Sequence, residues 1–263
     1  MKTNSGFRMI CKLSLPAVCL LFFIAFVFDA SAETFDHSHK LYGNVLILYV
    51  KDGLVGYSGL KSNPGNLKDY LEQTALVSKK EFDSWTGEER LAFLINLYNA
   101  RTLELIIDNY PVKSIKDIGS GAKGPWEEPI VPLFGEIITL NTLENSIIRK
   151  NYNDPRIHFA LVCAAKGCPP LLGVPYIAEN LNNQLGAQTQ KFLADSAKNS
   201  IDVKNKVIRL SPIFNWYMDD FSRTAGSVQK FIKPYYLNFP VEEFKIEYTD
   251  YDWSLNDSSA ERK

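Results

Sequence analysis

Residues 86–111 read Thr-Gly-Glu-Glu-Arg-Leu-Ala-Phe-Leu-Ile-Asn-Leu-Tyr-Asn-Ala-Arg-Thr-Leu-Glu-Leu-Ile-Ile-Asp-Asn-Tyr-Pro. Thr86 and Glu89 have the spacing of a capping box, and Pro111 stops the run. Leu91, Ala92, Phe93, Leu94, Ile95, Leu97, Tyr98, Ala100 and Leu103 put apolar groups on nearly every side. A helix apolar all round is a buried one, so the rest of the domain is expected to wrap around it. Asn96 and Asn99 lie three apart on one face of that helix. An unpaired buried amide costs about 1–3 kcal/mol, so both need partners. Those partners are either the backbone of adjacent loops or the contents of a site.

The second informative stretch is Arg156-Ile157-His158-Phe159-Ala160-Leu161-Val162-Cys163-Ala164-Ala165-Lys166-Gly167-Cys168-Pro169-Pro170-Leu171. Ile157–Val162 is apolar apart from His158 and bounded by Asp154-Pro155 and by Gly167 to Pro170. It therefore reads as a buried strand feeding a tight loop. On a strand His158 and Cys163 have opposite parity and lie roughly 16 Å apart, whereas Arg156 shares the face of His158.

Around these two stretches the chain alternates short elements. A helix is expected from Asp36 through Leu41, Val45, Leu46, Leu48 and Tyr49, ended by Asp52-Gly53. His37 and His39 at its start face different ways and read as solvated. Leu54–Tyr57 suits a short strand, Asn63-Pro64-Gly65 a turn, and Leu67, Tyr70 and Leu71 a second helix face. Residues 112–129 form a glycine-rich crossing. Ile130–Leu133 and Glu136–Leu140 read as a hairpin around Phe134-Gly135, with Asn141 to Glu144 capping a helix that ends near Lys150. Beyond the cysteines come a helix over 177–197, a hairpin over Lys204 to Lys206, and short helices through Trp216 to Phe221 and Ser227 to Tyr236. Residues 244–256 read as a strand with an aromatic end. No repeat or composition break divides the chain. The expectation is α+β: a single domain over 33–256, with six or seven helices around a small, mainly antiparallel sheet and a buried central helix, followed by a frayed tail over 257–263.

Residues 1–12 carry Lys2, Arg8 and Lys12 without an acid, Leu13–Phe28 is almost wholly apolar, and Ala30-Ser31-Ala32 offers small residues at the positions a signal peptidase reads. A signal peptide over residues 1–32 is expected, with an exported, periplasmic or extracellular product. Removing 32 of 263 residues leaves 231, and at 46% hydrophobic and 13% aromatic these can build a large core. No second apolar run reaches membrane-spanning length, so no stable insertion is expected after cleavage. Net charge is −1 with acids and bases interleaved, which gives no support to a nucleic-acid or anionic-membrane surface and points to a small molecule, a glycan or a protein as partner. Cleavage leaves Cys163 and Cys168 as the only cysteines, in a compartment that permits disulfides.

Three sets of residues resemble the family called domain of unknown function 547. They are Ala92 to Ala100, the Arg156–Cys163 run with Cys168-Pro169-Pro170-Leu171, and Tyr251-Asp252-Trp253-Ser254-Leu255-Asn256. The resemblance extends over the whole mature chain, from Asp36 to Asn256. Matching positions include Tyr110 to Ile115, Pro125-Trp126, Glu144, Arg149, Trp216-Tyr217 and Asp220-Phe221. Where the family usually has Trp before Ile95, this chain has Leu94. The resemblance implies an exported bacterial protein of no established activity. More faintly, a buried helix followed by strands with His is similar to the papain and transglutaminase class, although this helix has no Cys.

Three readings of the central stretch stay open. As a thiol-dependent hydrolase or transferase, the chain would use Cys168, or less directly Cys163, as nucleophile, and His158 as base. Asn96, Asn99 or Glu144 would serve as orienter or oxyanion donor, and Arg156, Arg149, Trp126 and Tyr217 as binding groups. On that reading Asn96, Asn99, His158 and Cys168 cluster. As a non-catalytic envelope protein for binding or scaffolding, it would have Cys163 and Cys168 joined in a disulfide, closing a small loop for about 2 kcal/mol, and His158 bonded to a carboxylate such as Glu144. Redox exchange departs from the C-x-x-C spacing of thioredoxin-like sites. A zinc site would have only three soft ligands, so neither metal nor cofactor is expected.

Overall fold

The capping box forms as expected: Glu89 N–H donates to Thr86 Oγ1 at 3.1 Å and Thr86 N–H to Glu89 Oε2 at 2.7 Å. The helix it starts runs over Gly87–Asn109, with every residue from Leu91 to Leu103 buried. Tyr110, ahead of Pro111, leaves the helix in extended backbone. These features belong to a computed structural model that describes residues 1–2, 34–119 and 123–259. Apart from its first two residues, the expected signal peptide lies outside the described residues.

In chain order the elements begin with α1 (Lys40–Tyr49), the pair β1 (Val50–Lys51) and β2 (Leu54–Val55), α2 (Tyr57–Ser62), α3 (Gly65–Leu76), α4 (Lys79–Ser84) and the long helix α5. The hairpin β3 (Pro129–Leu133) and β4 (Glu136–Thr139) turns at Phe134-Gly135, both at positive φ as a primed two-residue turn requires. A π-helix over Thr142–Ile148 continues into α6 (Arg149–Asn151). Then come α7 (Leu181–Leu193), β5 (Ser200–Asp202), β6 (Val207–Leu210), α8 (Ile213–Trp216), α9 (Met218–Ala225), α10 (Val228–Ile232) and β7 (Lys245–Tyr248). β1–β2, β3–β4 and β5–β6 pair antiparallel, while β7 adds to β6 in parallel.

The α+β class therefore holds, with two corrections. Among the described residues there are three separate two- or three-stranded sheets instead of one. Ten α-helices form among the described residues instead of six or seven, with Tyr57–Ser62 and Lys79–Ser84 among those not expected. Among those residues no helix is long and apolar enough to cross a membrane.

The largest difference falls on 157–162, which is no strand. Pro155–Phe159 is a 3-10 turn, started by Pro155 and capped by the Asp154 side chain, which accepts from Arg156 N–H at 3.0 Å. Backbone groups that a strand would share with a neighbour go to a side chain instead: Asn99 donates to Ala160 O at 2.9 Å and accepts from Val162 N–H at 2.9 Å. A short apolar run signals burial, but not which buried conformation. With the strand gone, the parity that separated His158 from Cys163 no longer applies.

This turn also joins two apolar clusters. Ile157 packs into the cluster around α5, and Phe159 into a second with Phe192, Phe214 and Phe221. His158, between them in sequence, is thereby held at the seam.

Both chain ends of the domain differ from expectation. Asp36 closes a turn onto the N–H groups of Ser38 and Lys40 instead of capping α1. His39 is buried and bonded to Tyr70 Oη at 2.9 Å, and His37 packs edge-on to Trp85, so neither is a solvated helix start. Residues 251–256 form a strap: Leu255 N–H reaches Lys113 O, Asn256 N–H reaches Ala164 O, and Val55 N–H reaches Asn256 O. Packed structure continues past Asn256, since Tyr110 Oη donates to the buried Asp257 at 2.7 Å.

Candidate functional site

A cavity of about 340 Å³ opens where the π-helix, the Pro155–Phe159 turn, the cysteine loop, α8 and the 251–253 strap meet. Its polar floor holds Glu144 and His158. Cys163 and Cys168 form one wall, and Trp126, Trp216, Trp253, Tyr98, Tyr217 and Tyr251 supply aromatic faces.

Glu144 projects from the π-helix, whose wider turn is a form often found at functional sites. Its Oε2 accepts from Tyr98 Oη at 3.0 Å and its Oε1 from Tyr217 Oη at 2.7 Å. Burial, and then the neighbouring Glu144, push both phenols well above the usual tyrosine range, so they stay protonated donors. The carboxylate is thus oriented by two fixed hydroxyls, with lone pairs to spare.

His158 donates through Nε2 to Asp220 Oδ2 at 2.8 Å and stacks on the Tyr217 ring at 3.8 Å between centroids. Burial lowers its pKa below 6.5, and the opposing pull of Asp220 and Glu144 only partly offsets that. Burial raises the Asp220 carboxyl, but the bonds from His158 and Arg149 outweigh it and hold the group below the ordinary aspartate value. Asp220 therefore carries the charge and His158 is neutral, protonated on Nε2 because a carboxylate only accepts. Its Nδ1 is then an acceptor to which no described residue donates. Arg149 Nε donates to the same Asp220 oxygen at 2.7 Å, and Arg223 bonds the other oxygen, which balances the buried charge.

Cys163 and Cys168 are joined in a disulfide, S–S 2.08 Å. Tyr251 Oη lies 3.2 Å from Cys163 Sγ and 3.1 Å from Cys168 Sγ. The loop closes tightly at Gly167, where a Cβ would come within 3.0 Å of Asp252 backbone N and O. Neither sulfur is a thiol in this structure, which is the arrangement of the disulfide reading among the three left open.

Of the residues expected to form a site, Glu144, His158, Cys163, Cys168, Trp126 and Tyr217 share this one cavity. Neither amide lines it, although Asn99 bonds the backbone of Ala160 and Val162, between His158 and Cys163. Asn96 brackets Tyr176, donating to its carbonyl at 2.7 Å and accepting from its N–H at 3.0 Å; Asn99 fastens the backbone that leads into the disulfide loop. Arg156 pairs with Asp154 at 2.7 Å and with Asn182, away from the cavity, and Arg149 stands behind Asp220. The partner expected for His158 was Glu144; it is Asp220. Among the described residues no three His, Cys, Asp or Glu side chains converge as a metal set.

Asp220, Tyr98, Tyr251, Trp216 and Trp253 are site residues to which sequence reasoning gave no role. All five lie within stretches quoted for the family resemblance, and that position was the signal. Tyr98 lies between the two asparagines on the long helix and faces the other way, which a closer reading of helical angle exposes.

Residues 82–193 match the model of a family described as Protein of unknown function, DUF547. The match covers less than half of the chain. It includes Tyr98, Glu144, His158 and both cysteines, while Trp216, Tyr217, Asp220, Tyr251 and Trp253 lie beyond it. No curated protein and no solved structure matches the chain, so the likeness to the papain and transglutaminase class has no match behind it.

Proposed function

We propose that this chain is an exported binding protein that holds a small molecule, or the end of a glycan or protein, in the cavity over Glu144 and His158. The observation that carries this reading is the Cys163–Cys168 bond, which makes the sulfur wall of the cavity a brace and not a nucleophile. The groups left to meet a ligand are acceptors, the Glu144 carboxylate and His158 Nδ1, between aromatic faces. Such a site suits a ligand that offers hydrogen-bond donors or a positive charge beside a ring or apolar body. Export is supported by the charge, apolar run and Ala-Ser-Ala order of the first 32 residues, and a disulfide fits that compartment.

A second reading, a thiol-dependent hydrolase or transferase in the reduced state, is favoured by one observation: the Asp220-oriented imidazole of His158 lines the same cavity as Cys163.

Titration of the tryptophan fluorescence with a panel of oligosaccharides, amines and amino-sugars tests the first reading. Saturable change is expected for donor-rich members, with affinity at least about tenfold weaker in Glu144→Gln, the size of one hydrogen bond to a charged acceptor. A panel that leaves fluorescence and Tm unchanged, together with ester or amide turnover by reduced protein, would favour the second reading instead.

A further inference from the structure

The two sulfurs of the bridge are not equivalent. Cys163 is half-buried, whereas Cys168 is 3% exposed. Cys168 Sγ accepts from Cys163 backbone N–H at 2.9 Å and lies 3.1 Å from Tyr251 Oη. Tyr251 reaches Cys163 Sγ as well, at 3.2 Å, but only Cys168 has the backbone donor too. Burial pushes the Tyr251 phenol up, with Glu144 adding to it, so the hydroxyl keeps its proton to donate.

In thiol–disulfide exchange, rate depends on which sulfur can be reached and on how well the other leaves as thiolate. Here both conditions select the same direction. The more exposed sulfur is Cys163, and the one with two donors to steady a developing negative charge is Cys168. We propose that the Cys163–Cys168 bridge is an exchange site for low-molecular-weight thiols that enter the cavity. The thiolate RS⁻ attacks Cys163 Sγ, the Cys163–Cys168 bond breaks, and its electron pair leaves on Cys168 Sγ. A second RS⁻ then attacks the mixed disulfide at the sulfur of R. RSSR departs and Cys163 is left as thiolate, so two RSH are oxidised and the bridge is reduced by two electrons. A cavity of about 340 Å³ suits a thiol of a few heavy atoms. This activity goes beyond ligand binding over Glu144 but shares its cavity, so a ligand seated there competes with the entering thiol.

The loop is built to reclose. Its entry is fastened by Asn99 to Ala160 and Val162, and Gly167 N–H is bonded to Asp252 O at 2.8 Å. Neither anchor is made by a cysteine side chain.

Native oxidised protein is mixed with cysteamine near neutral pH, quenched with acid, and the free thiol alkylated before peptide mass mapping. The cysteamine adduct is expected on Cys163 and the alkyl group on Cys168, with adduct formation about tenfold or more slower in Tyr251→Phe, as loss of a hydrogen bond to a charged sulfur implies. An adduct on Cys168, a bridge that reacts only after unfolding, or an unchanged rate in a Tyr251→Phe protein of unaltered near-UV circular dichroism would overturn the proposal. Mapping in the unmutated protein decides the direction of attack even if the variant does not fold.

Discussion

His158 and Asp220 meet across 62 residues of chain, Nε2 to Oδ2 at 2.8 Å, with Arg149 donating to the same oxygen. That carboxylate holds the neutral imidazole in one tautomer and leaves Nδ1 as its acceptor. Asp220→Asn keeps the shape but leaves Arg149 and Arg223 without their anion. The predicted cost is about 3 kcal/mol, as for breaking a buried pair by removing one partner, read from urea midpoints. A change below 0.5 kcal/mol, the ordinary scatter of surface substitutions, would mean the pair is not a structural anchor.

Tyr98 is buried and bonded to Glu144. Tyr98→Phe removes one of the two donors on a buried carboxylate and is predicted to cost about 2 kcal/mol. Tyr217→Phe should cost less in stability, because Tyr217 is only half-buried, yet weaken ligand binding as much. Equal stability losses with unchanged binding would show that the hydroxyls serve packing alone.

The two asparagines separate by place. Asn99→Ala strips partners from Ala160 O and Val162 N–H and should destabilise by about 2–4 kcal/mol while raising hydrogen exchange at the disulfide loop. Asn96→Ala should cost a similar amount but raise exchange near Tyr176 and leave the loop protected. The same exchange pattern in both variants would contradict separate pinning.

Stability should fall on acidification. Burial, with a smaller push from His37 against the pull of Asp36, brings His39 to a pKa of about 3, and burial lowers His158 as well. A folded pKa below the unfolded value of 6.5 means that the unfolded chain takes up the proton first. Each histidine then removes up to about 1.4 kcal/mol per pH unit as pH drops below 6.5, until its folded pKa is reached. For His39 that window reaches about pH 3, while the lowered Asp220 adds its own loss only as pH falls below 3.8. Urea midpoints at pH 7, 6, 5 and 4 that do not move would refute this ordering.

What the sequence made legible was local. Thr86 with Glu89 announced the long helix, Phe134-Gly135 the first hairpin and Lys204 to Lys206 the second, because capping and turn chemistry act within a few residues. It failed where a side chain replaced a backbone partner: nothing near Ile157 reveals that Asn99, 61 and 63 residues away from its two contacts, will take the hydrogen bonds of a missing strand. The site shows the same limit. Glu144, His158 and the cysteines stood out by residue type, but the pairing of His158 with Asp220, and not with the nearer Glu144, is a long-range choice that one sequence does not encode legibly. His39 read as solvated because its burial depends on Tyr70 and Phe35 packing over it.

The central claim is that the sulfur of this cavity is a brace. Intact mass of the protein purified from its native host, alkylated with and without prior reduction, tests it most directly. The account predicts a chain beginning at Glu33, no adduct before reduction and two after it. Adducts on unreduced protein would mean free thiols beside His158, and would favour a thiol nucleophile over a bridge.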